Sequence, residues 1–140
     1  VRALYTLRRS GKPGEASAPV VFGGQLCRWP APLENEHEQL VLKFEFRVPA
    51  DGEYIVMFNT RAQVEVEVDG APAFRREAGG SMAPSFHRAP WNQSVRLELK
   101  AGAHELKAVL QRMPGNVAPD WVLGVGDAAS SQWIPDAFCG

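Results

Sequence analysis

The sequence predicts an all-β chain, an antiparallel β-sandwich of jelly-roll type with about eight to ten strands. Three observations lead there. Apolar and polar residues alternate with period two in run after run, while helical periodicity is nearly absent. Asp-Gly and Ala-Gly turn signals separate the runs at short intervals. The chain has 140 residues, 45% apolar and 22% charged, enough for one core and unlike a disordered segment.

Residues 3–8, 20–22 and 25–29 are short strand candidates. In "LVLKFEFRV" Leu40, Leu42, Phe44, Phe46 and Val48 share one face, and Lys43, Glu45 and Arg47 the other. "EYIVMFN" is apolar on both faces, which predicts a central strand or one covered on its outer side. "QVEVEVD" sets Val64, Val66 and Val68 against Glu65, Glu67 and Asp69, and residues 73–76 are a weaker strand. "VRLELKAGAHELKAVL" alternates on both sides of Gly102 and reads as a hairpin, with Val95, Leu97, Leu99, Leu106, Ala108 and Leu110 inward. "WVLGVGD" is a further buried strand whose glycines mark a bulge or a close backbone approach. The Asp-Gly pairs in "PADGEY" and "VDGAP" are hairpin or tight-turn signals. The whole chain, 1–140, reads as one domain, with 1–9 and 128–140 as candidate docking arms.

Net charge is −1 and the pI about 6.3, which gives no whole-domain attraction to nucleic acid or an anionic membrane. The apolar runs fall short of the ~18 residues that span a bilayer as a helix, so no membrane insertion is expected. Val1 in place of an initial Met fits a processed protein or a domain of a longer one, and a removed leader is compatible with both. Cys27 and Cys139 are candidates for one disulfide, worth about 4–5 kcal/mol in the chain-entropy model. Two separate thiols are the other reading; a secreted location goes with the disulfide.

No recognisable nucleophile, metal or acid–base motif is present. His37, His87 and His104 lack metal-binding spacing, Ser81 and Ser85 lack a nucleophile context, and no Cys/His cluster suggests zinc. Glu65, Glu67 and Asp69 satisfy the ~5–10 Å carboxylate separation of a glycosidase simply because i and i+2 residues on a strand do so; they read as a solvated face. No cofactor or metal is therefore expected, and the chain is read as a non-enzyme.

The long segment "REAGGSMAPSFHRAPWNQ" gathers Arg76, Phe86, His87, Arg88 and Trp91. Aromatic faces stack on sugars and guanidinium groups bind hydroxyls or acids, and the same residues dominate protein interfaces. Simple coverage of one end of the sandwich is the third reading. Trp133 and Phe138 form an apolar tail that docks on its own domain or on a neighbour. Asn92-Gln93-Ser94 has the form of a glycosylation sequon.

Three fragments in order, "FRVPADGEYIVMF", "VEVEVDGAPAF" and "VRLELKAGAHELKAVLQR", resemble the carbohydrate-associated jelly-roll modules, namely the galactose-binding-like and protective-antigen-type domains. The resemblance covers roughly residues 40–127 and concerns architecture. It implies a non-catalytic, secreted or cell-surface module that binds carbohydrate or serves as an accessory or adhesive partner to a neighbouring domain. Where protective-antigen-type sugar binders carry paired aspartates after the Gly-x-Tyr strand, this chain has "FNTRAQ", so a calcium-dependent site is not expected. The alternative is a self-assembling structural subunit of a fibre, shell or surface layer, a homo-oligomer joined through its termini and the 76–93 segment.

Overall fold

The computed structural model describes residues 39–76, 94–111, 119–132, 134 and 137 in full, and the backbone of 2–8, 20–21 and 26–28. Among these, ten strands occur: β1 (Arg2–Arg8), β2 (Val20–Val21), β3 (Leu26–Arg28), β4 (Gln39–Val48), β5 (Gly52–Thr60), β6 (Val64–Val68), β7 (Ala71–Arg76), β8 (Ser94–Leu99), β9 (Gly102–Leu110) and β10 (Asp120–Asp127). They form a six-stranded sheet in the order β2-β1-β4-β9-β6-β7 and a four-stranded sheet in the order β3-β10-β5-β8. All pairings are antiparallel, and the predicted all-β sandwich is what the chain adopts.

Alternation set the inward faces correctly. Leu40, Leu42, Phe44, Phe46 and Val48 of β4 are buried, as are Val64, Val66 and Val68 of β6 and Leu106, Ala108 and Leu110 of β9. On β8, Leu99 is buried while Val95 and Leu97 pack against the core half-covered. The doubly apolar β5 is central, between β10 and β8, and Met57 on its outward face is fully buried together with Val122 of β10. Phe44 from one sheet meets Phe58 and Trp121 from the other. Phe58 stacks on Trp121 at 6.1 Å and 17°, and Phe44 approaches Trp121 edge-on at 6.4 Å. Such offset and edge-on contacts add to the area that three rings bury.

Two expectations are corrected. First, "VRLELKAGAHELKAVL" is not a hairpin. β8 pairs with β5 in the four-stranded sheet, whereas β9 pairs with β4 and β6 in the other. Lys100 and Ala101 thus carry the chain from one sheet to the other, and residues 49–51 do the same between β4 and β5. The two corners lie side by side, because Val48 opposes Gly102 and Gly52 opposes Leu99. Inward alternation continues across such a corner as it would around a hairpin, so the residue pattern does not separate the two. Second, the register of β10 with β5 runs unbroken through Gly124 and Gly126, so the bulge, one of the two readings of these glycines, does not occur. The register shift lies between Val66 and Glu67, opposite Pro72 and Phe74 of β7. β7 is an edge strand, where proline costs no ladder bond.

The corners are tied by side chains. Tyr54 Oη donates to the Ala50 carbonyl at 2.6 Å, and Asp51 Oδ1 accepts from the Ala101 N–H at 2.8 Å. After β10 the chain turns, with Asp127 Oδ2 accepting from both the N–H and the hydroxyl of Ser130. It then runs back along the edge of β10, where Asp127 N–H donates to Gln132 and Ile134 N–H to Val125. Beyond that, Arg47 N–H of β4 donates to the Ala137 carbonyl at 2.8 Å. The tail is therefore a strap that links β10 of one sheet to β4 of the other. Along it, Ile134 packs on the core and Ala137 is buried in it.

Candidate functional site

The two ends of the sandwich differ. One carries the two corners, the β6–β7 turn and the strap. At the other, β5, β7 and β9 end and β10 begins, so the connections 77–93 and 112–118 leave from there. This second end holds four buried polar residues: Asn59, Thr60, Arg76 and Asp120.

Thr60 links Asp120 and Arg76. Its hydroxyl donates to the Asp120 carbonyl at 2.7 Å and accepts from the Ala62 N–H at 3.2 Å, which shapes the β5–β6 turn. The Thr60 carbonyl accepts from Arg76 Nη1. Arg76 stands opposite Val64, on the inward face of the last pair of β7, and is 7% exposed. Burial lowers its pKa, yet a guanidinium stays charged, so a fixed cation lies at the base of the 77–93 connection. Arg61, at the tip of the turn, pairs with the nearly buried Asp120 carboxylate at 3.4 Å. The polar layer sits directly on the aromatic core, since Thr60 opposes Trp121 in register.

The arrangement offers two guanidinium groups and one carboxylate, braced by backbone bonds, where β7 ends. Guanidinium groups of this kind suit a hydroxylated or acidic ligand. It offers no nucleophile with an attendant base. Among the described residues, no three of His, Cys, Asp and Glu come together as a metal-ion group.

Of the site residues expected from the sequence, Arg76 is placed here. Phe86, His87, Arg88, Trp91, Trp133, Asn92 and Cys139 lie outside the described residues, and Cys27 is described by its backbone alone, opposite Trp121 in β3. Thr60, Arg61 and Asp120 were missed. Their signal was a polar run, Asn59-Thr60-Arg61, closing an apolar strand, and an aspartate just before Trp121.

Of the carboxylates read as a solvated face, Glu67 and Asp69 have partners. Glu67 lies 3.7 Å from Lys107 on the neighbouring strand. Asp69 belongs to the β6–β7 turn, accepting from the Glu105 N–H at 2.9 Å and meeting His104 at 2.6 Å.

No family model matches the chain, and no curated protein matches it. Solved structures do. A β-glucosidase from Kluyveromyces marxianus in complex with glucose superposes with a TM-score of 0.64 and 15% identity, over 90% of this chain and 16% of its own. An anti-sigma factor domain-containing protein from Clostridium clariflavum gives 0.61 and 12%, over 98% of this chain and 44% of its own. The PA14 domain of the antifreeze protein MpAFP gives 0.51 and 9%, over 70% of this chain and 47% of its own. The likeness is one of fold. The chain spans less than half of each of these three structures.

Proposed function

We propose that this chain is a non-catalytic module that binds carbohydrate, or docks a neighbouring carbohydrate-active domain, through the end of the sandwich from which the 77–93 connection leaves. The observation that carries this is the buried Arg76, bonded to the Thr60 carbonyl at the root of that connection. A segment bearing Phe86, His87, Arg88 and Trp91 thereby starts from a rigid polar base, the support that a low-entropy binding loop needs. Sandwiches of the same fold inside a β-glucosidase and as a PA14 domain support the carbohydrate association. The engagement of Glu67 and Asp69 by Lys107 and His104 supports the non-catalytic part. An extracellular setting, with Cys27 and Cys139 joined, completes the reading.

The test is thermal melting of the chain across a panel of neutral and acidic oligosaccharides. A ligand at about 100 times its Kd adds ~2.7 kcal/mol of stability and a clear rise in Tm. The rise disappears in Trp91→Ala and Arg88→Ala if the loop end binds. A flat response across the panel overturns the carbohydrate-binding reading and leaves domain docking, and a rise that both variants retain overturns the assignment to this end.

A further inference from the structure

At the opposite end of the sandwich, His104 occupies an inward register position on β9, opposite Phe46 of β4. Its ring stacks on Phe46 at 5.5 Å, and the side chain is 11% exposed. Nδ1 lies 2.6 Å from Asp69 Oδ2, and Nε2 lies 2.6 Å from the Lys100 carbonyl oxygen. A carboxylate and a carbonyl only accept. A neutral imidazole has one N–H to give, and an imidazolium has two.

We infer that His104 is carried as an imidazolium and acts as a proton-operated clamp between the β6–β7 turn and the sheet-changing corner at Lys100. Asp69 also accepts from the Glu105 N–H and donates its own N–H to the Glu105 carbonyl, so the turn is registered on β9 at the clamp. Among the described groups, Asp69 is the anion facing the ring. From the corner, the Lys100 ammonium lies 3.5 Å from Asp51. From β4, Glu45 and Arg47 pair with each other at 3.5 Å on the exposed face. Glu105 meets the clamp through its backbone.

Burial opposes the charge on His104. The Lys100 carbonyl and the bond and charge of Asp69 outweigh it, and together they hold the pKa above its ordinary value. The folded chain then keeps this proton to higher pH than the unfolded one. The clamp's stabilisation is complete below the ordinary histidine value of about 6.5 and is lost as pH rises through the raised folded value. Above that, one of the two acceptors faces a lone pair and the corner loosens.

The experiment is a pH titration of the intact chain by histidine-selective nitrogen NMR, with His104→Gln identifying the signal among the three histidines. Both ring nitrogens of His104 should carry protons at neutral pH, with a midpoint above that of an unfolded histidine. In Asp69→Asn that midpoint should fall. Urea unfolding adds a second readout: the folding constant of the wild type relative to His104→Gln should decline severalfold between pH 5.5 and 9. A neutral ring at pH 7 overturns the inference. So does a pH profile of stability that His104→Gln leaves unchanged.

Discussion

Asp69-Gly70 and Asp51-Gly52 are the same dipeptide at two strand ends, and they do different things. The first joins β6 to β7 within one sheet. Val68 opposes Ala71, and both central residues have positive φ, 51° and 81°, the twist of a two-residue hairpin turn. The second follows Pro49 and Ala50 from one sheet into the other, and Gly52 has no left-handed backbone. The left-handed glycine of the corner region is Gly102, at φ 114°. Asp69 bonds forward onto the neighbouring β9, whereas Asp51 bonds across to the adjacent corner at Ala101. An Asp-Gly pair therefore marks a reversal, and the strands that its flanks pair with decide whether the reversal stays in the sheet.

The largest difference is expected between the two aspartates. Asp69→Ala removes a charge-assisted contact with His104 and the acceptor for Glu105, and should cost about 2–3 kcal/mol by urea unfolding at pH 6. Asp51→Ala loses one backbone bond and an exposed pair with Lys100, and should cost about 1 kcal/mol. Equal costs would erase the distinction.

The glycines come next. Gly70→Ala forces a left-handed alanine and should cost about 1–2 kcal/mol. Gly52→Ala places a Cβ 3.9 Å from Tyr54 Cε2 in ordinary contact. It should be neutral or stabilising by up to about 1 kcal/mol.

Tyr54→Phe removes the bond to Ala50 that braces the corner, for about 0.5–1.5 kcal/mol. Amide exchange should quicken at Ala101 more than at Glu105.

The smallest effect belongs to the exposed turn after β10. The hydroxyl and N–H of Ser130 hold the Asp127 carboxyl below its ordinary value. A carboxylate so held contributes stability above its unfolded pKa and loses it as pH falls through the folded one. Ser130→Ala should raise the Asp127 midpoint in a carboxyl NMR titration and leave the neutral-pH Tm nearly unchanged.

Much of the fold was legible because its signal is local. A strand with one wet face writes its register as alternation, and Phe44 beside Lys43 or Val66 beside Glu67 needs no partner to be read. The residues proposed for binding were legible only through unusual composition, as with the aromatic and basic residues of 76–93. The Thr60–Arg76–Asp120 layer was not, because a buried arginine and an exposed one look alike until a carbonyl is brought to one of them. His104 and Asp69 were each visible at turns, but their meeting depends on β6 lying beside β9.

Residue order thus settled where the strands run and, for β4, β6, β8 and β9, which side faces the core, since burial of alternate side chains is a property of the strand itself. Tertiary packing settled which sheet each strand joins, turned the 95–110 segment from a hairpin into a corner, and gave the strap and the clamp their partners. Those choices rest on contacts between residues far apart in the chain, where loop closure and the fit of two sheets outweigh any local preference.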